Sequence, residues 1–124
     1  MDLLSTYEEY TEFQKEYVIF IEELFNSNLN VYSEDVTIKR LTEAKKKFEL
    51  LMDKSSEIVI ESKDADNLKD LRYLIVDALF LSTDLLGFYQ YKEVERFKMR
   101  VNNYINKLRR SELFKETNSS SCRV

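Results

Sequence analysis

The near absence of the two residues that interrupt helices constrains this chain more than any other feature. It contains no proline and a single glycine, Gly87. Both residues mark turns and strand ends, and both are poor helix formers. Long helices are therefore the natural solution for 124 residues with globular composition, 34% charged and 44% hydrophobic. The sequence predicts a single all-α domain.

Apolar residues recur every three or four positions in four segments, which is the period of an amphipathic helix. The first segment opens with two overlapping capping boxes, Ser5 with Glu8 and Thr6 with Glu9. In this motif the hydroxyl and the carboxylate satisfy free backbone N–H groups at a helix start. We expect this helix to fade over the asparagine-rich stretch 26–30.

The second and third helices have weaker end signals. Ser33 is the expected N-cap of the second helix, which we expect to end near Glu61. Asp64 or Asp66 is the expected N-cap of the third. Gly87 should mark the end of the third helix or a kink in it.

The fourth helix should begin near Tyr91 and fray past Phe114. Short links between helices force antiparallel neighbours, so the sequence predicts an up-down-up-down four-helix bundle over 1–115, which could dimerise. The polar residues 116–124 are expected to form a disordered tail. The alternative is one long kinked helix from the last two segments, giving a three-helix protein that completes its bundle by dimerising.

Charge is distributed unevenly along the chain. Residues 1–30 hold seven acidic groups and one lysine, whereas residues 92–124 hold nine basic and four acidic groups. In an antiparallel bundle the acidic first helix and the basic last helix can lie side by side and attract. Asp77 and Asp84 interrupt the most apolar stretch, 73–91, which argues against a membrane span.

The expected location is the cytoplasm. Cys122 is the only cysteine, so an internal disulfide is excluded, and the first residues lack a signal-peptide core. The abundance of lysine, asparagine and glutamate is typical of an AT-rich bacterial genome.

Most catalytic chemistry is excluded by residue type. The chain contains no histidine, the commonest general base and transition-metal ligand. With one glycine it cannot form a glycine-rich phosphate loop. The favoured interpretation therefore requires no cofactor and no catalytic residue.

One enzymatic alternative needs only carboxylates. Glu9 and Glu12 form an ExxE element on the first helix, and Asp70, Asp77 and Asp84 recur every seven residues on the third. This pattern loosely resembles the all-α nucleotide pyrophosphatases of the MazG kind, which hold Mg²⁺ on helical acids. The resemblance implies ligands among Glu9, Glu12, Asp70 and Asp77, although the paired ExxE and ExxD elements of that family are not both present. The favoured interpretation is that these acids are solvated or pair with the basic fourth helix.

Nucleic-acid binding through the basic last helix is a third and weaker hypothesis. Phosphate binding needs concentrated positive charge. The net charge of this chain is −4, and adjacent residues on a helix point in different directions. We therefore expect no nucleic-acid partner.

A surplus of apolar residues on the third helix favours an interaction protein. A bundle helix needs one apolar stripe, and this helix carries a second one broken by Asp84. Tyrosine and other aromatic side chains are common at protein interfaces. We expect a non-catalytic adaptor, regulator or immunity-type binder, with a protein partner or a homodimer as its assembly. The predicted interface consists of Tyr73, Val76, Phe80, Leu81, Phe88 and Tyr91.

Overall fold

The computed structural model describes residues 2–121, with side chains described for residues 2–110. The predicted all-α fold is confirmed, since no strand occurs in residues 2–121. Its elements are α1 (Leu3–Asn26), α2 (Glu34–Ser56), a 3₁₀ turn (Ser62–Asp64), α3 (Ala65–Gln90) and α4 (Val94–Ser121).

The four helices form an antiparallel up-down-up-down bundle, as predicted. Each helix packs against the next in the chain, and α4 closes the ring against α1. α2 and α4 share no close backbone contact within the described residues, so they occupy one diagonal. α1 and α3 approach each other across the other diagonal. Consequently α1 and α3 begin at the same end of the bundle.

A tight turn separates α3 from α4, so the alternative of one long kinked helix is wrong. Lys92 adopts the left-handed conformation, with φ of 59°. The N–H of Glu93 donates to the carbonyl of Phe88 at 2.8 Å. This pairing around a left-handed residue is a common helix stop. Gly87 does not mark the end of α3, because the helix continues through it to Gln90.

The first N-cap differs from the prediction, whereas the second is confirmed. Asp2 caps α1, and its Oδ1 accepts from the N–H of Ser5 at 2.7 Å. The predicted capping boxes at Ser5 and Thr6 are therefore wrong, because aspartate is an equally good cap and starts the helix earlier. Ser33 caps α2, as predicted, through the N–H of Val36.

α2 ends at Ser56 rather than near Glu61. The β-branched run 58–60 follows the helix end, and such residues lose rotamer freedom in a helix. Ile58 turns into the protein and is 8% exposed, whereas Val59 is 96% exposed.

Asp64 is the N-cap of α3, but its side chain makes no capping hydrogen bond.

The core is built from the inward stripe of each helix. Fully buried side chains come from all four helices, among them Ile21, Phe48, Ile75 and Phe97. The buried hydroxyls of Thr6, Thr37, Ser55 and Ser82 donate to carbonyls of the preceding turn. The hydroxyl of Tyr17 is the exception, since it has no hydrogen-bond partner among the described residues.

The last helix is longer than the sequence indicates. α4 continues to Ser121, beyond Phe114, because no proline or glycine interrupts it. The predicted tail 116–124 overlaps this helix end. Residues 122–124, with Cys122, lie outside the described residues, and the domain boundary at residue 115 stays a prediction.

Among the described helices, none has the unbroken apolar length that a membrane crossing requires.

Candidate protein-binding surface

The solvent-facing side of α3 carries large apolar side chains, where an outer helix face normally carries polar ones. Tyr73 and Phe80 are each 61% exposed, and Val76 between them is half-buried. Their spacing of three and four residues places them on one side of the helix. Lys69 and Asp84 continue the same line at its two ends. We call these five residues the outer stripe.

The other three predicted interface residues are dispersed. Leu81 is fully buried and lies in the core with Ala78 and Leu85, so it offers no surface to a partner. Its position one residue after Phe80 rotates it towards the bundle axis, since successive residues turn by about 100°. Phe88 is half-buried and packs against the core. Tyr91 caps α3 and is 80% exposed near the α3–α4 turn.

A shallow groove runs beside the outer stripe on its α2 side. It has a volume of about 450 Å³. Its walls combine side chains of α2, α3 and the link between them. Lys69, Tyr73 and Val76 belong to both groove and stripe. The lining residues are Met52, Ile60, Ala65, Leu68, Lys69, Arg72, Tyr73 and Val76. The groove makes the exposed apolar area of this face broader than one helix.

On the opposite side of the stripe, α4 holds Tyr73 in place. Lys107 Nζ donates to the Tyr73 hydroxyl at 3.4 Å and to Asp77 Oδ2 at 3.3 Å. The same ammonium lies 5.3 Å from the centre of the tyrosine ring. Partial burial lowers the pKa of Lys107, but the hydrogen bonds to Tyr73 and Asp77 outweigh it and leave the pKa above its usual value. These contacts hold the ring beside α4 and still leave it 61% exposed.

The four acids of the hydrolase alternative are not brought together. Glu9 is paired with two lysines of α2, Lys47 at 2.6 Å and Lys54 at 3.1 Å. The hydrogen bond from Lys47 is the main reason that the pKa of Glu9 lies below its usual value. Glu12 is exposed on α1, and Asp77 is paired with Lys107.

Asp70 faces a different part of the molecule, at the bundle end. In the part of the chain that the structure describes, no three acidic or cysteine side chains are placed to hold a metal ion. The structure therefore provides no assembled carboxylate site for Mg²⁺ among these residues.

Four basic residues of α4, Arg96, Lys98, Arg100 and Lys107, each contact a neighbouring polar or acidic group. Arg100 Nε pairs with Asp84 at 3.1 Å, and Arg96 pairs with Glu93 at 3.2 Å. Lys98 Nζ donates to the Asn28 side chain at 2.6 Å. Across the described residues, the interhelical ion pairs join α1 to α2 and α3 to α4. No direct ion pair among these residues therefore accounts for the expected attraction between the acidic α1 and the basic α4.

A cleft at one end of the bundle is missing from the sequence-based predictions. It has a volume of about 900 Å³ and lies where α1 and α3 begin. It forms because the extended residues 58–61 replace the predicted last turn of α2. The β-prone run Ile58-Val59-Ile60 is the only sequence signal for it, and three separate segments have to meet before a cleft exists.

Comparison of this chain with protein families, with curated proteins and with solved structures finds no match.

Proposed function

We propose that this chain is a cytoplasmic, non-catalytic interaction protein and that its binding surface is the outer stripe of α3. The observation that carries the proposal is the exposure of two large aromatic side chains, Tyr73 and Phe80, on one helix face. A continuous apolar patch of this kind is a typical mark of a protein-binding site. The adjoining groove gives a partner helix a place for its own side chains.

A second copy of this chain is the occupant that the stripe fits best. Lys69 lies four residues before Tyr73, and Asp84 lies four residues after Phe80. If two α3 helices pack antiparallel about a twofold axis beside Val76, each Tyr73 faces the Phe80 of the other copy. Lys69 of each copy then lies opposite Asp84, which is still 47% exposed beside Arg100. A twofold interface requires this kind of self-complementarity.

The expected dimer is weak. Complete burial of a large apolar side chain contributes about 1.5–3 kcal/mol, and Tyr73 and Phe80 are already partly covered. Four such side chains would be buried in the dimer, against an association cost of about 4–15 kcal/mol. We therefore expect a monomer–dimer equilibrium that depends on concentration.

Sedimentation equilibrium over a concentration series tests the proposal. Phe80→Glu would place an unpaired charge in the interface, so we expect the dissociation constant to rise by about tenfold or more. Ile19→Glu is the matched control, because Ile19 is 63% exposed on α1 and outside the stripe. It should leave the equilibrium unchanged, and both variants should retain the helical circular dichroism of the parent chain.

Two results would contradict the proposal. A parent chain that stays monomeric at the highest soluble concentration would remove the second copy as the occupant of the stripe. Tight calorimetric binding of Mg²⁺ with a nucleotide, lost in Asp77→Asn, would instead favour the hydrolase alternative.

A further inference from the structure

The end cleft has an apolar floor, and several of its apolar side chains are unusually exposed to solvent. Leu4 and Tyr7 of α1 are 66% and 45% exposed, and Val59 of the α2–α3 link is 96% exposed. Leu71 and Leu74 of α3 complete the floor. Buried Ile58 anchors the extended segment and leaves Val59 projecting into solvent.

The rim of the cleft is acidic. Among the described residues, the charged side chains that line it are four acids, Asp2, Glu61, Asp64 and Asp70, and one base, Lys63. Glu61 is 3.6 Å from Lys63, and one Asp2 oxygen accepts from the Ser5 N–H. The N-termini of α1 and α3 favour negative charge at this end of the bundle, which allows carboxylates to gather there. The rim still has a charge of −3 if these five side chains carry their usual charges.

The end cleft and the outer stripe are separate surfaces of α3. None of the five residues of the outer stripe lines the cleft. Asn67, Leu71 and Leu74 point into it, and Tyr73 and Phe80 do not. A dimer formed along the outer stripe and its groove therefore shares only Ile60 with the described lining of the end cleft.

We infer that the end cleft binds a cationic amphipathic helix of a partner protein, apolar on one face and carrying lysine or arginine at its edges. The apolar face would cover Leu4, Tyr7 and Val59, and the basic side chains would lie against the rim carboxylates. Helices are commonly bound in this way, with their apolar face in a groove. Opposite charge at the rim selects the partner and speeds its approach, and an anionic helix is repelled.

Fluorescence anisotropy with two labelled synthetic helices tests this inference on the full chain. One helix has a leucine face and a lysine face, and the other has glutamate in place of lysine. We expect the leucine–lysine helix to bind, with an affinity that falls as salt is added, and the leucine–glutamate helix not to bind.

Variants locate the binding site. Asp64→Asn with Asp70→Asn should weaken binding of the leucine–lysine helix by about tenfold. Asp53→Asn with Asp66→Asn removes the same charge from exposed positions outside the cleft and should have a much smaller effect. Val59→Ser should weaken binding by about fivefold because apolar burial is lost.

Val31→Ser, at an exposed valine of the α1–α2 link, is the control for Val59→Ser. Absence of binding, equal binding of both helices, or equal loss in the Asp53/Asp66 control would overturn the inference. Phe80→Glu separates it from the proposed function, since the end cleft should bind normally in that variant. Loss of helix binding in Phe80→Glu would move the site to the outer stripe and also overturn the inference.

Discussion

The buried hydroxyl of Tyr17 destabilises the folded state, because in the part of the chain that the structure describes it lacks the hydrogen bond that other buried hydroxyls make. Its ring packs edge-on against Phe48, with centroids 5.4 Å apart, but its buried hydroxyl has no partner among the described residues. The nearby hydroxyl of Tyr104, in contrast, accepts from Gln14 at 3.2 Å. An unsatisfied buried hydroxyl costs about 1–3 kcal/mol in desolvation, so Tyr17 contributes through its ring alone.

We expect Tyr17→Phe to raise the free energy of unfolding by about 1 kcal/mol, because the ring contacts stay and the unsatisfied group is removed. Urea denaturation followed by circular dichroism measures the change. Tyr104→Phe is the matched control, and it should destabilise by about 1 kcal/mol because Gln14 loses its acceptor. A destabilised Tyr17→Phe variant would show that the hydroxyl has a partner, such as a buried water.

At the scale of single elements, backbone strain occurs in the turns between helices rather than in the helices themselves. Lys92 between α3 and α4, and Asn28 and Leu29 between α1 and α2, all have positive φ. Left-handed backbone costs a residue with a Cβ atom about 1–2 kcal/mol. The chain uses its only glycine at Gly87 inside α3, where a Cβ would meet nothing within 4 Å.

We expect Lys92→Gly to stabilise the protein by about 0.5–1 kcal/mol, since glycine adopts φ of 59° without steric cost. Thermal unfolding of the parent and the variant provides the measurement. Lys46→Gly is the control, because the same exchange inside α2 should destabilise by about 1 kcal/mol. Equal destabilisation by both exchanges would contradict this account of the turn.

The helices could be predicted from sequence, but several of their ends could not. The period of apolar residues persists over twenty or more positions and therefore identifies each helix. The position of a helix end depends on a few competing capping residues. At the start of α1 the N-cap is Asp2 rather than Ser5 or Thr6. α2 ends early because burying Ile58 draws the chain away from the helix axis.

Of the two candidate surfaces, the one that lies on a single helix could be predicted from sequence, and the one that joins several segments could not. The outer stripe follows from one helix period, and its Tyr73, Val76 and Phe80 could be found by sequence alone. Leu81 could not be excluded, because a helix with apolar residues on most sides does not reveal which side is buried. The end cleft joins α1, the α2–α3 link and α3, so it exists only once the bundle is assembled.

Over the whole molecule, buried tyrosines make stability sensitive to high pH. Burial raises the pKa of Tyr10, Tyr17 and Tyr104 above the usual value of 10. The folded state therefore retains protons that the unfolded state loses. The resulting stability is complete below the unfolded pKa of about 10 and falls as the pH rises towards the folded pKa.

Above pH 10 we expect Tyr10 and Tyr17 each to lower the free energy of unfolding by up to about 1.4 kcal/mol per pH unit, and Tyr104 to change it in the same direction. Urea denaturation at a series of alkaline pH values measures the slope. Tyr17→Phe should make this slope shallower, because one of the buried titrating groups is removed. The control Tyr91→Phe, at an exposed position, should leave the slope unchanged. Equal slopes in all three proteins would contradict the assignment.

The rings that surround Phe48 have a consequence for spectroscopy. Tyr10, Phe13 and Tyr17 of α1 lie with their centroids 6.3, 5.1 and 5.4 Å from that of Phe48 in α2. The chain contains no tryptophan to mask the tyrosine bands. Near-ultraviolet circular dichroism should therefore be sensitive to whether α1 is seated against α2. In a separate variant, Tyr91→Trp would provide a fluorescence signal from the α3–α4 turn.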